Sequence, residues 1–195
     1  MPYAVTKVRD QRANFREYAL DVAPLAASVA NYCDHVEHNE AVATGWITDA
    51  GTRLSELAMD LAATARLDLV TLYADRLGAI EARNVLAGPG AYDGRAAALS
   101  TGTWRELQLV QVEHDRYYHP DIVGLPKFDQ LRHCSLHLTK IVGAFAEAAD
   151  PDELLHRRLP DSLLFALKLH TVMGKRLPDD ALPRSSGDVA RTATV

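Results

Sequence analysis

Apolar residues recur three and four positions apart along most of the chain, a spacing typical of helices that bury one face. The longest stretch of this kind runs from Thr52 to about Ala87. It predicts one continuous helix about 50 Å long, at about 1.5 Å per residue. No segment alternates between apolar and polar residues strongly enough to predict a β-sheet. The pattern therefore predicts an all-α fold, a single-domain bundle of five or six helices.

Prolines and glycines predict where several of these helices end. Pro24 is expected to separate a short helix at residues 11–20 from a second helix that runs from Pro24 to about His38, because proline is costly inside a helix. Gly88-Pro89-Gly90 is expected to end the long helix. The glycine- and alanine-rich residues that follow, up to Gly102, are predicted to form a loop.

Capping sequences predict where the later helices begin. Thr103-Trp104-Arg105-Glu106 has the pattern of a capping box, which predicts a helix from Trp104 to about Tyr118. After a short turn, Pro126 suits the first turn of a helix that reaches about residue 148. These two helices are therefore expected to lie side by side as an antiparallel hairpin. Asp150-Pro151-Asp152-Glu153 predicts a further, short capped helix.

The last predicted helix, at residues 160–173, is apolar on nearly all sides. Such a helix is buried, so Leu164, Phe165 and Leu167 are expected at the centre of the protein. Beyond Pro178 the composition turns to Pro, Ser, Gly, Asp and Thr. The predicted organisation is a helical bundle domain at residues 1–177 and a flexible C-terminal tail at residues 178–195.

Composition narrows the class of protein. The chain has 195 residues and a net charge of −5, with scattered Lys and Arg, so no nucleic-acid binding is predicted. No stretch approaches the roughly 20 apolar residues of a membrane span, and the N-terminus lacks the apolar run of a signal peptide. Cys33 and Cys134 are expected to be reduced, buried thiols. These features predict a cytoplasmic protein that binds no membrane.

Candidate chemistry concentrates between residues 113 and 137, which hold four of the eight histidines. His114 falls in the middle of the apolar face of its helix, and a buried imidazole needs a hydrogen-bond partner or a metal. His133 and His137 are four positions apart and share one helix face, so both can bind one metal ion. The alternatives are that His114 is a hydrogen-bonded core histidine and that His133 and His137 belong to a solvated polar face.

The hairpin would bring these two helices together, which predicts a metal site formed by His114, His133 and His137. Imidazole nitrogen suits zinc, iron or manganese. Catalytic residues are expected nearby, at the turn of the hairpin: Glu113, Asp115 and His119. The same residues, and Asp121, could instead cap helices.

The adjacent pair His114-Asp115 resembles the dyad of HD-type phosphohydrolases. That family also has an upstream histidine and a downstream aspartate. The nearest upstream histidine in this chain is His38, 76 positions away, so the sequence departs from the family pattern.

A second set of acidic residues lies upstream. Glu37 and Glu40 close one predicted helix, and Glu56 and Asp60 open the next. These pairs resemble those of the all-α nucleoside triphosphate pyrophosphohydrolases, which hold magnesium between helices. The second pair departs from the family in its spacing of four, and Thr44-Gly45-Trp46-Ile47 reads as a loop where the family has helix.

Three functions therefore stay open. The first is a metal-dependent enzyme of hydrolase or lyase type that acts on a small molecule through the histidine site. The second is a non-catalytic helical module that binds a partner protein or forms a homo-oligomer. The third is a magnesium-dependent nucleotide pyrophosphohydrolase. No glycine-rich phosphate loop, nucleophile elbow or zinc-finger spacing is present in the sequence.

Overall fold

The computed structural model describes residues 2–84 and 92–183, with side chains from Arg12 onward. Within those ranges the chain forms no β-strand, and an isolated bridge joins Thr103 to Ala181. The helices, in chain order, are α1 (Pro2–Glu37), α2 (Gly45–Ala65), α3 (Leu69–Glu81), α4 (Gly94–Leu99), α5 (Trp104–Tyr118), α6 (Pro120–Val123), α7 (Lys127–Glu147), α8 (Pro151–Glu153) and α9 (Leu159–Val172). The predicted all-α fold is confirmed. The predicted number of helices is not, because α4, α6 and α8 are short additions to the long ones.

Helix α1 runs through Pro24 without a break, so the predicted division at this residue is wrong. Proline removes one helical hydrogen bond, the one its amide would donate to the carbonyl of Leu20. Pro24 is exposed, and Leu20 is 74% exposed, so this carbonyl lies on the solvent side of the helix. The opposite side is apolar both before and after Pro24 and packs along α7. Burial of that continuous face outweighs the lost hydrogen bond.

The long helix predicted from Thr52 to Ala87 is in fact two helices, α2 and α3. Arg66 ends α2 in the left-handed conformation, with φ of 60°, and Asp68 begins α3 by accepting a hydrogen bond from the Thr71 amide. The cap of α3 is the sequence signal that the apolar spacing concealed. Helix α2 also begins at Gly45, where a loop was expected.

Residues 85–91, which include the predicted stop at Gly88-Pro89-Gly90, lie outside the described residues. The part of the predicted loop that is described contains a short helix, α4, capped by the Asp93 side chain. The capping box is confirmed: Thr103 accepts from the Glu106 amide, and the Glu106 carboxylate accepts from the Thr103 amide. Helix α5 begins and ends as predicted.

Helix α9 lies at the centre of the fold and packs against α2, α3, α5 and α7. Every residue from Leu159 to His170 is buried, which confirms the prediction for Leu164, Phe165 and Leu167. Asp150 caps α8, as predicted, and a π-helical turn at Leu154–Arg158 connects it to α9. The central helix therefore carries its few polar side chains into the core.

The chain after α9 folds back along the start of α5. The carbonyls of Pro178 and Asp180 accept hydrogen bonds from the amides of Arg105 and Trp104, at 3.0 and 3.1 Å. Leu182 is buried and donates its amide to the Gly102 carbonyl. This segment is the described part of the predicted tail. None of the described helices is long and apolar enough to cross a bilayer.

Candidate functional site

A buried ion pair joins the centre of α9 to α5. The Lys168 ammonium lies 2.9 Å from Asp115 Oδ2, and the two side chains are only 7% and 8% exposed. Gln111, one turn earlier on α5, donates its amide to the same carboxylate oxygen at 2.6 Å. Charged side chains are rarely buried unless they are paired. This pair is the chemical centre of the candidate site.

Hydrogen bonds continue from the pair toward the C-terminal segment. The one hydroxyl proton of Thr171 is shared between the Leu167 carbonyl at 2.9 Å and Gln111 Oε1 at 3.1 Å. Gln108 donates to Thr171 Oγ1 at 3.3 Å. The Gln108 side chain also donates to the Lys175 carbonyl and accepts from the Leu177 amide. The chain of hydrogen bonds holds Asp115 in one orientation and ties it to residues after α9.

His133 and His137 lie on the same face of α7, and that face meets α9. Their ring centroids are 4.6 Å apart. The His137 ring stacks on Phe165 at 4.4 Å, and the Lys168 ammonium lies 5.3 Å from the same Phe165 ring. Both histidines are half-buried. Their face of α7 is therefore packed against α9. It is not the solvated polar face that the sequence offered as an alternative.

A cavity of about 70 Å³ lies beside the ion pair, between α5, α7 and α9. Its polar lining consists of Gln111, Asp115, Gln130, His133, Lys168 and Thr171, and its apolar lining includes Ile122, Val123 and Val172. Since one water molecule needs roughly 10–15 Å³ of such space, the cavity can hold a few waters or one small polar group. A small molecule bound in this cavity would contact both His133 and Lys168.

Burial keeps these imidazoles neutral near physiological pH. Desolvation and the neighbouring His133 lower the pKa of His137 to about 3. Desolvation, followed by the positive charge of Lys168, also lowers the pKa values of His133 and His119. A neutral imidazole has a free lone pair, so it can accept a proton or bind a metal ion. Besides burial, the positive charge of Lys168 lowers the pKa values of all four predicted histidines: His114, His119, His133 and His137.

His114 is buried, as predicted, but in a neighbouring part of the core. It is 1% exposed, and its ring packs on Tyr118 and lies 6.4 Å from that of His119, centroid to centroid. Its Nε2 lies 3.5 Å from Glu81 Oε1 and has no hydrogen-bond partner, while a backbone hydrogen bond links the ring to Leu77. Burial lowers the pKa of His114 to about 4.

The ring contacts of His114 are thus with α5 and the start of the α5–α7 turn, whereas those of His133 and His137 are with each other and with α9. Among the described residues, no group of three or more His, Cys, Asp or Glu side chains is placed to hold a metal ion. The Lys168 ammonium also lies among the candidate ligands. The three predicted ligands do not form one shell, although His133 and His137 are adjacent as predicted. The predicted metal stays a prediction.

Glu113 lies apart from this site. It pairs with Arg116 one turn away on α5, and both side chains are substantially exposed. The upstream acidic residues are also separately engaged: Glu37 pairs with Arg132, Glu40 with His35, and Glu56 with Arg53. Because α2 begins at Gly45, Glu56 and Asp60 lie within the helix and do not open it.

Lys168, Gln111 and Phe165 are the site residues that sequence reasoning missed. The sequence did contain one signal for Lys168, which is a positively charged residue in a helix whose other residues predict complete burial. A buried cation of this kind requires a carboxylate partner in the core. The sequence does not say which carboxylate, because the pairing depends on the packing of α5 against α9. Gln111 carried no comparable signal.

Comparison of the chain with protein-family models, with curated proteins and with solved structures finds no match in any of the three. The class that the described residues define is therefore an all-α protein with a buried lysine–carboxylate pair beside two packed histidines.

Proposed function

We propose that this protein is an enzyme of hydrolase or lyase type, with its proton-transfer site at the cavity between α5, α7 and α9. The observation that carries the proposal is the position of His133 on the wall of a cavity that also exposes the buried Lys168–Asp115 pair. A base and a fixed positive charge on one small cavity are the minimum that general base catalysis of an addition or elimination needs.

Each residue has a distinct role in the proposal. His133, neutral because its pKa is lowered, takes a proton from water or from the substrate. Lys168 stabilises the negative charge that develops on the substrate oxygen. Asp115, held by Gln111, fixes the Lys168 ammonium, and His137 limits the movement of His133 by packing between it and Phe165. His119 adds a second titratable imidazole at the end of α5.

The size of the cavity limits the substrate. Its volume of about 70 Å³ is enough for the reacting group of a small molecule, but too small for a large substrate to enter whole. Lys168 favours a group that becomes anionic during the reaction, such as a carbonyl or phosphoryl oxygen. The proposed substrate class is therefore a small ester, amide or phosphate ester, or a hydroxy acid that loses water.

The test is a comparison of turnover by the wild type and by His133→Gln on three substrate classes. The substrates are p-nitrophenyl acetate, p-nitrophenyl phosphate and a set of small hydroxy acids followed by the absorbance of the alkene product. We expect turnover in one class, and a loss of about 100-fold or more in His133→Gln, the usual effect of removing a general base. Circular dichroism checks that the helix content is unchanged.

His38→Gln is the matched control, because His38 is an exposed histidine whose side chain is 67% accessible. It should retain wild-type turnover. Equal turnover by His133→Gln and the wild type would refute the assigned base. No turnover of any class by the wild type would refute the hydrolase or lyase proposal.

A second candidate function is metal-dependent catalysis, with the predicted metal bound by His133 and His137 alone. It is favoured by the neighbouring, neutral rings of His133 and His137, which offer two nitrogens from one face of α7. The remaining positions would belong to substrate or water, and the metal would supply Lewis-acid chemistry. Elemental analysis of the purified protein tests this candidate: it predicts a stoichiometric transition metal that is lost in both His133→Gln and His137→Gln.

A further inference from the structure

A second and larger cavity lies on the other side of α9 from the histidine site. Its volume is about 720 Å³, within the range of roughly 300–1,000 Å³ that is typical of small-molecule sites. Helix α2 forms one wall with Ser55, Met59 and Ala63. The opposite wall is the segment after α9, including Leu177, Pro178 and Pro183. The lining is mostly apolar, so water fills this space without strong interactions.

The wall after α9 is held in place by hydrogen bonds and does not depend on a ligand. Pro178 and Asp180 are bound through their carbonyls to the start of α5, and Gln108 binds the backbone of Lys175 and Leu177. Trp104, the first residue of α5, donates its amide to the Asp180 carbonyl, is half-buried and lines the cavity. A preformed wall lowers the entropy cost of binding.

Negative charge exceeds positive charge around this apolar space. The lining includes the carboxylates of Glu56, Asp60, Asp68 and Asp180 and one ammonium, that of Lys175. Asp68 caps α3, and Glu56 pairs with Arg53. Asp60 and Asp180 have no ion-pair partner among the described side chains, those of residues 12–84 and 92–183, so their charges are available to a ligand. Trp104 adds an aromatic face, which attracts cations.

One residue of the cavity lining, His170, carries a buried polar atom without a hydrogen-bond partner in the described part of the chain. This atom is Nδ1, and the residue is 1% exposed. Burial and the charge of Lys175 lower the pKa of His170 to about 4, so the ring is neutral and does not oppose a cation. A buried polar atom without a partner is uncommon and calls for a physical explanation, which a donor group on a ligand would provide.

We propose that the cavity between α2, α9 and residues 175–183 binds a small organic cation with an apolar or aromatic body. The body would fill the space beside Met59, Trp104 and Leu177, and the cationic group would lie toward Asp60 and Asp180. An anion of the same shape meets excess negative charge and is disfavoured. This site is separate from the histidine cavity and does not rest on the proposed function.

The test uses two pairs of probes that are similar in size and differ in charge: benzylammonium, which has N–H groups to donate, with benzenesulfonate, and tetraphenylphosphonium with tetraphenylborate. Binding is followed in sodium buffer by fluorescence in the Trp46→Phe background, where Trp104 is the one remaining tryptophan of the two. Isothermal titration calorimetry on the unmodified chain gives an independent Kd. We expect at least one cation to bind saturably, about tenfold or more tighter than its anionic match, with a preference that weakens as salt is added.

Two variants locate the site. Ala63→Phe places a ring into the cavity from an exposed position of α2 and should abolish binding. Asp60→Asn should weaken binding of the cation about threefold, the effect typical of one exposed charge. Asp75→Asn, an exposed aspartate of α3 that does not line the cavity, is the matched control and should leave the Kd unchanged.

Three results would overturn the proposal. The first is an absence of saturable binding by all four probes. The second is a Kd for the anions equal to or lower than that for the cations. The third is binding that Ala63→Phe leaves unchanged while circular dichroism shows the wild-type helix content.

Discussion

Removal of either partner of the Lys168–Asp115 pair should strongly destabilise the fold, whereas removal of both should not. At 2.9 Å the two charges attract by about 6 kcal/mol if the effective dielectric constant is about 20. Burial of each ion costs several kcal/mol, so the pair as a whole contributes little net stability. A single substitution loses the attraction and leaves the other charge buried. We therefore expect Lys168→Met and Asp115→Leu each to lower the free energy of unfolding by about 3–5 kcal/mol.

The double variant Lys168→Met/Asp115→Leu places apolar side chains of similar volume on both sides of the contact. Its stability should lie within about 1 kcal/mol of wild type or above it, because no buried charge is left. The remaining cost is the loss of the carboxylate that accepts from Gln111. The measurement is urea unfolding followed by circular dichroism, with the free energies combined as a double-mutant cycle.

Asp75→Asn is the control for this cycle. Asp75 pairs with Arg95 at the same 2.9 Å distance, but both side chains are 53% exposed, so its loss should cost less than about 1 kcal/mol. The reasoning would be refuted if Lys168→Met cost no more than Asp75→Asn. It would also be refuted if the double variant were as unstable as the sum of the two single ones.

Three further predictions concern the core around the site. In Gly94→Ala the new Cβ would lie 2.7 Å from His114 Cδ2 and 2.8 Å from Glu81 Oε1. Urea unfolding should therefore show that this variant loses about 1–3 kcal/mol of its free energy of unfolding. Gly143→Ala, whose Cβ would have no neighbouring atom within 4 Å, should be neutral or stabilising. His114 has its pKa lowered to about 4, so its protonation favours the unfolded state, and stability should fall as the pH drops from about 6.5 toward 4. His114→Gln should reduce that slope by up to about 1.4 kcal/mol per pH unit, as urea unfolding at a series of pH values would show. Phe165→Ala, at 3% exposure, should cost about 3–5 kcal/mol, against less than about 0.5 kcal/mol for Leu20→Ala at 74% exposure.

The features that the sequence predicted correctly are those that depend on neighbouring residues. The capping box at Thr103 is complete within four positions, so the start of α5 needs no information from the rest of the chain. The burial of α9 follows in the same way from its own composition, because it has no polar face to turn toward solvent. Apolar spacing alone was sufficient to predict the all-α fold.

The features that it missed depend on packing between distant segments. Pro24 was expected to end a helix, but the face that α1 buries against α7 continues past it. The break at Arg66 is hidden because apolar residues keep a helical spacing on both sides of it. In the site, the proximity of His133 and His137 was visible from their spacing, whereas their contact with Phe165 depends on how α7 crosses α9.

The two buried charges of α9 also explain how a helix without a polar face takes one orientation. Asp161 binds Arg76 of α3 through its carboxylate, with 2.6 Å between Arg76 Nε and Asp161 Oδ1, and Lys168 binds Asp115 of α5. The two residues are seven positions apart, so they lie on nearly the same side of α9, two turns from each other. A rotation of α9 that preserved apolar contact would break both pairs and leave three buried charges without partners, those of Asp115, Asp161 and Lys168, at a cost of several kcal/mol for each ion. The pairs therefore act against misoriented states more than they stabilise the native one. The orientation that they select also places Lys168 on the wall of the cavity beside His133.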